Sequence, residues 1–251
     1  MRILLCNDDG IHAPGFAVLE KIAHALSDDV IACAPAEENS GAGHSLTLHH
    51  PVRLKEFGDK RYAVTGTPTD AVNLALRKLF PDGGPNLILS GVNNGENLAD
   101  DVTYSGTISA AMEGALAGIP AIALSQAMRE SAAGFEAAEQ WAAKVLKPLI
   151  EAQLPKRTVV NVNFPALPAN AVKGIRVVRQ GFHDYARGSL LEGTDPRGRP
   201  YYWFGLDDIE HSLDHGTDLE AISEGYISVT PLQLDLTHHA SLGSLAESFD
   251  T

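Results

Sequence analysis

The chain has 251 residues, 44% hydrophobic and 20% charged, which suits a globular protein with one large core or two small ones. Nineteen lysines and arginines against 32 aspartates and glutamates leave a net charge of −13, a surface that repels nucleic-acid backbone, so no nucleic-acid polymer is expected as a partner. No apolar run reaches the roughly eighteen residues that a membrane-crossing helix needs, so no membrane partner is expected either.

The N-terminus enters a strand directly and lacks the basic start, long apolar stretch and small-residue cleavage site of a signal peptide. Cys6 and Cys33 lie inside apolar runs, which predicts buried free thiols. Together these features predict a cytoplasmic protein.

Arg2 to Cys6 is a short apolar run of the kind that forms a buried strand. It stops at Asn7-Asp8-Asp9-Gly10, residues that favour turns. Phe16, Leu19, Ile22, Ala23 and Leu26 then fall on one helical face. Val30 to Ala34 predicts a second strand, which ends in a turn-rich loop from Pro35 to His44. Ser45 to His49 and Pro51 to Glu56 read as a pair of strands, and Tyr62 to Val64 as another. Thr67 suits a helix cap, Pro68 the first helical position, and Asp70 falls three residues after the cap. That helix continues to Leu79 and stops before Pro81.

Asn86 to Leu89 predicts a third parallel-type strand, followed by a polar glycine-rich loop over Ser90 to Thr107. Ile108, Ala111, Met112, Ala115 and Leu116 form the apolar face of the next helix, which Gly118 and Pro120 close. Ala121 to Leu124 is a further strand, Ala133 to Ile150 a long helix, and Thr158 to Val162 another strand. Strands alternating with helices at this spacing predict a Rossmann-like α/β fold: a mostly parallel sheet with helices on both faces. Right-handed crossovers then put the strand-exit loops along one edge.

The last third changes character. From about Gly174 to Leu206, β-type runs are broken by Gly193-Thr-Asp-Pro-Arg-Gly-Arg-Pro200, which predicts an extended hairpin arm. Asp218 to Glu224 reads as a helical turn, Tyr226 to Pro231 as a strand, and Ala240 to Phe249 as a closing helix. We therefore expect one domain, with an α/β core over about 1–170 and a C-terminal segment over about 171–251. An arm hanging from a compact sheet suits contact between subunits.

Three strand-exit loops carry oxygen-rich residues: Asp8 and Asp9, then Asn39 and Ser40, then Asn93, Asn94 and Asn97. Carboxylate, hydroxyl and amide oxygens suit magnesium, manganese or calcium better than zinc or copper. The loops 7–15, 36–46, 65–70 and 90–107 contain no lysine and no arginine. A phosphate bound there must be met by a metal and by backbone N–H groups. Ser105-Gly106-Thr107 opens a helix and offers such groups, and these three residues with Asn97 are assigned to phosphate contact. This predicts phosphoryl transfer to water, with Asp8 or Asp9 orienting or deprotonating the attacking water. An aspartyl-phosphate route needs acids two residues apart after the first strand, and these are adjacent. A binding module without turnover is the rival from another class. His211 and His215 stand four apart without other ligands nearby and read as surface or interface residues. Glu37 and Glu38 read as solvated, Asp100 and Asp101 as favouring a helix start, and Thr67 and Thr69 as caps.

Ile3-Leu4-Leu5-Cys6-Asn7-Asp8-Asp9-Gly10 with His12-Ala13-Pro14-Gly15, Asn39-Ser40-Gly41-Ala42, Ser45-Leu46-Thr47-Leu48, Gly66-Thr67-Pro68-Thr69-Asp70, Ser90-Gly91-Val92-Asn93 and Tyr104-Ser105-Gly106-Thr107 occur in that order. In this the chain resembles the SurE family, stationary-phase survival proteins that are metal-dependent 5′-nucleotidases. The match continues more loosely through Gly225-Tyr226-Ile227-Ser228-Val229-Thr230-Pro231-Leu232. The resemblance implies one divalent ion per subunit, manganese or magnesium (calcium in some crystals), held by Asp8, Asp9, Ser40 and Asn93. It implies hydrolysis of nucleoside 5′-monophosphates, sometimes also of 3′-monophosphates and short polyphosphate. It implies a homodimer or homotetramer joined by C-terminal segments. Cys6 and His44 depart from the small hydroxyl or amide residues expected there.

Overall fold

The computed structural model describes residues 1–128, 134–152, 154–183, 190–204 and 214–249. The chain opens with β1 (Arg2–Cys6), α1 (Pro14–His24) and β2 (Asp29–Pro35). It continues through β3 (Leu54–Gly58), β4 (Arg61–Val64), α2 (Pro68–Lys78) and β5 (Leu87–Asn94). Then come α3 (Gly106–Leu116), β6 (Ala121–Gln126), α4 (Glu136–Glu151), β7 (Thr158–Phe164) and β8 (Ile175–Val177). The described chain closes with β9 (Leu190–Thr194), β10 (Pro200–Phe204), α5 (Asp218–Ser223), β11 (Ile227–Gln233) and α6 (Leu242–Glu247).

One sheet takes the order β3-β4-β2-β1-β5-β6-β7-β11-β8, and β9 pairs with β10 in a separate hairpin. From β4 to β7 every neighbour is parallel; β3 and β11 pair antiparallel with β4 and β7. The order turns outward in opposite directions on either side of the β1–β5 pair. Such a switch point opens a crevice at the carboxyl ends of the two strands, where ligands bind in sheets of this kind. The expected Rossmann-like α/β fold is therefore the one observed.

Both faces of the sheet are covered, which is why the central strands read as continuous apolar runs. Ile3, Leu5, Leu89 and Ile122 pack with Phe16, Leu19 and Ile22 of α1 and Val145 and Leu146 of α4. Leu4, Cys6, Cys33 and Ile88 pack with Val72 and Ala75 of α2 and Ile108 and Ala111 of α3. Burial of each such leucine or isoleucine contributes about 1.5–3 kcal/mol. Both thiols are free and buried, and burial pushes the Cys33 thiol up to about 12.

The structure corrects several boundaries. Residues 45–49 form no strand; Thr47 instead bonds through its amide and its hydroxyl to Asp70. The strand expected to stop at Leu89 runs on to Asn94, and its Gly91–Val92 peptide is cis. Ile175–Val177 joins the main sheet beside β11, so the hairpin arm begins later than expected, with β9. The closing helix is shorter, preceded by a tight turn over His239–Ser241. Thr67 caps α2 as expected, and with Asp70 forms a reciprocal capping box. Thr69 does not cap: its hydroxyl is buried and finds no hydrogen-bond partner among the described residues. No helix among the described residues is long and apolar enough to cross a membrane.

Candidate active site

The paired acids leave β1 in a turn that is closed from within. The Asn7 amide donates to Gly10 O at 2.9 Å, and Gly10 sits at φ 100°, a conformation that suits glycine. Two neighbouring loops are then sewn onto this turn by backbone bonds. Asn39 N donates to Asp8 O at 2.8 Å, and Ile11 N to Pro35 O at 2.8 Å. Asn94 N donates to the Asp9 carboxylate at 3.1 Å. Ser40 and Asn93 stand next in the chain to Asn39 and Asn94, whose amides make these bonds.

Helix α3 arrives from the other side. The Thr107 hydroxyl donates to the Asp8 carboxylate. A Cβ built on Gly106 would lie 2.6 Å from the Asp8 Cβ, so only glycine allows this approach. Ser105 caps the helix by accepting from Ile108 N at 3.1 Å. Ser40 donates to Glu38 at 2.9 Å, and the Asn93 amide nitrogen donates to Gly95 O at 2.9 Å. A cavity of about 260 Å³ beside Asp9 is lined also by Pro14, Gly15, Glu38, Asn94 and Phe135. A larger groove of about 580 Å³, between α1 and the β2–β4 side, contains none of the expected site residues.

Asp8 is 4% exposed. Burial pushes its carboxyl up to about 6; the Thr107 hydroxyl opposes this, and the Asp9 charge adds to it. Asp9 is raised by burial too, with the Asn94 amide opposing and Glu38 adding. Two acids are thus held close together with no lysine or arginine in the surrounding loops. Among the described residues, no group of three or more His, Cys, Asp or Glu is arranged to hold a metal ion. Any cation here must be held by two carboxylates completed by neutral oxygens.

Asn97 lies deeper than expected. It is 7% exposed, and its amide nitrogen donates to the Ser125 hydroxyl at 2.8 Å. Its backbone is gripped by two asparagines of β7: Asn97 N donates to Asn163 at 2.8 Å, and the amides of Asn161 and Asn163 donate to Asn97 O at 2.8 and 3.1 Å. The sequence reading missed these residues, although two asparagines two apart in the run Val159-Val160-Asn161-Val162-Asn163 are a signal of a polar function on one strand face. Glu38 is exposed as expected, yet it also serves Ser40 and the cavity. Asp100 and Asp101 open a short turn over Ala99–Thr103 and bond to His183. His44 reaches Glu113 on α3 at 2.6 Å. His215 is exposed and pairs with Glu220 at 3.0 Å, whereas His211 lies outside the described residues.

The fold and the cleft together define a class: an α/β protein of the Rossmann-like kind, with an acid-paired, oxygen-rich site at the switch point of its sheet and a helix N-terminus facing it. The model of the family described as Survival protein SurE matches residues 3–187. The chain belongs to the SurE family. A protein named 5′-nucleotidase SurE from Erythrobacter litoralis is 66% identical over the whole of both chains. Its namesake from Caulobacter vibrioides is 52% identical over 98% of this chain and 95% of its own. The crystal structure of the SurE protein from Aquifex aeolicus superposes with a TM-score of 0.87 at 39% identity, covering 100% of both chains.

Proposed function

We propose that this protein hydrolyses nucleoside 5′-monophosphates to nucleoside and phosphate, with a divalent ion, manganese or magnesium, as cofactor. The observation that carries the reading is the buried Asp8 carboxylate, set beside Asp9 and against the first turn of α3. The name of the relatives, 5′-nucleotidase, supports it over the full length of the chain.

The donor set fits a hard cation. Asp8 and Asp9 supply charge and Ser40 and Asn93 neutral oxygens; burial raises both carboxyls, and the surrounding loops hold no lysine or arginine to offset it. When bound, the ion supplies positive charge to the phosphoryl oxygens and acidity to coordinated oxygen. The chain supplies the rest. N–H groups at the start of α3, with the hydroxyl of Ser105, bind the phosphoryl oxygens, while the Thr107 hydroxyl gives its proton to Asp8. Gly106 lets that turn approach the acids, and Asn97 steadies the loop that leads into it. Asp9, oriented by Asn94 N, and Asp8, oriented by Thr107, face the attacking water, and one of the two carboxylates accepts its proton.

The same cleft suits 3′-monophosphates and short polyphosphate, since it addresses the phosphoryl group rather than the base. The exposed apolar side chains of the arm and the C-terminal segment, among them Trp203, Phe204, Leu236 and Phe249, support a homodimer or homotetramer joined there. The two buried free thiols support a cytoplasmic location. A phosphate-release screen over nucleotides and tripolyphosphate, with manganese and then with chelator, tests the reading. We expect release from AMP that the chelator abolishes. Binding of AMP without phosphate release would leave a sensor instead of an enzyme.

A further inference from the structure

The loop between β5 and α3 carries the residues assigned to phosphate. Its backbone is held from below by distant side chains. Ala99 is a non-glycine residue at φ 49°, fully buried, and both of its polar backbone groups are taken. Its N–H donates to the Asp218 carboxylate at 3.0 Å, and its carbonyl accepts from the Gln180 amide at 2.8 Å. Asp218 is itself fully buried at the first turn of α5, and also accepts from Gly181 N at 2.8 Å and Leu219 N at 3.0 Å. Asn161 and Asn163 hold Asn97 in the same way, two residues earlier.

From there a chain of backbone bonds leads to the helix start. Asp101 N donates to Leu98 O at 3.0 Å, and Ser105 N to Asp101 O at 3.1 Å. The Ser105 cap then fixes the first turn of α3. We propose that Asp218, with Gln180 and the Asn161–Asn163 pair, positions the phosphate-binding turn: the buried carboxylate holds Ala99 in its left-handed conformation and so aims the N-terminus of α3 at the phosphoryl group. A left-handed alanine is disfavoured on its own, so the turn keeps its shape only while both of its backbone groups are engaged. None of these residues touches the substrate. Asp8, Asp9 and Ser40 leave other strands, and α3 reaches that set through the Thr107 bond to Asp8.

This inference rests on the phosphatase reading above, and the test separates the two. The full-length protein and its Asp218→Asn and Gln180→Leu variants are compared in manganese buffer. The measurements are kcat and KM for AMP, the inhibition constant of inorganic phosphate, the affinity for manganese alone, and Tm. Asparagine keeps the size of Asp218 but cannot accept from Ala99 and Gly181 together. We expect Asp218→Asn to weaken phosphate inhibition about tenfold, the scale of one charge-assisted hydrogen bond, and to lower kcat/KM by about a hundredfold through misplacement. Gln180→Leu weakens phosphate inhibition about threefold. Manganese affinity falls less than phosphate affinity in both, since α3 reaches the cation donors only through the Thr107–Asp8 bond. An unchanged phosphate constant in folded Asp218→Asn overturns the proposal, as does a manganese affinity that falls as far as the phosphate affinity in that variant. Where Asp218→Asn does not fold, an unchanged phosphate constant in Gln180→Leu overturns it. A wild type that releases no phosphate from AMP removes the phosphatase reading itself, and this inference with it.

Discussion

Two turns on the same edge of the sheet each carry a buried aspartate, and they treat it in opposite ways. Asp70, at the start of α2, accepts from Thr47 N at 3.0 Å, Thr67 N at 2.9 Å and the Thr47 hydroxyl at 2.5 Å. Burial pushes its carboxyl up, but these donors outweigh it, and the carboxyl ends below its ordinary value. Asp8, at the end of β1, is pushed up by burial and by the charge of Asp9; the Thr107 hydroxyl and the amides of Asp8 and Thr107 oppose this without cancelling it, and its carboxyl ends at about 6. Exposure of the whole residue is nearly the same for the two, so it does not separate them; the balance of burial and neighbouring charge against donors does.

The largest break in this comparison comes from Asp8→Asn or Asp9→Asn. Each should lower phosphate release from AMP at least about a thousandfold while circular dichroism stays native. Full activity in either variant would remove these acids from the site. Gly106→Ala comes next, because its new Cβ must displace Asp8, 2.6 Å away. We expect a loss of about a hundredfold in kcat/KM and about 1–3 kcal/mol of stability, read by kinetics and by denaturant melts.

Metal addition sharpens the contrast. Manganese at about a hundred times its dissociation constant should stabilise the wild type by about 2.7 kcal/mol and Asp8→Asn far less; Asp70→Ala should respond like wild type. Asp70→Ala should itself cost about 2 kcal/mol through its lost cap and loop bonds, with activity within about tenfold of normal. The pH dependences have opposite signs. The Asp8 carboxyl is raised on folding, so the metal-free protein should gain stability as pH falls through about 6 toward the ordinary aspartate value. Asp8→Asn should lack that gain, which is on the order of 1–3 kcal/mol. Asp70 is lowered on folding. Its contribution is full above the ordinary aspartate value and disappears as pH falls below it, so wild type and Asp70→Asn should converge in acid.

Much of the fold was legible because it is written locally. Apolar runs at β1, β2, β6 and β7, helical spacing at α1 and α3, and the Thr67-Pro68-Thr69-Asp70 cap each depend on residues within a few positions of one another. The failures have physical causes. Ser45 to His49 alternates like a strand, yet Asp70 takes the Thr47 amide that a ladder would need. Asn93 and Asn94 have turn chemistry, but they extend β5 because β6 stands ready to pair with them.

The sequence by itself determined the order of elements, the paired acids after the first strand and the absence of basic residues in the loops around them, since periodicity and composition need no knowledge of distant contacts. Only the tertiary structure decided for which aspartate the donors outweigh burial and for which they do not. It alone set Asn163 against Asn97 and Asp218 against Ala99, 66 and 119 residues apart. A hydrogen bond across that separation leaves no local trace, because the donor and the acceptor meet only when the sheet has brought its strand ends to one edge.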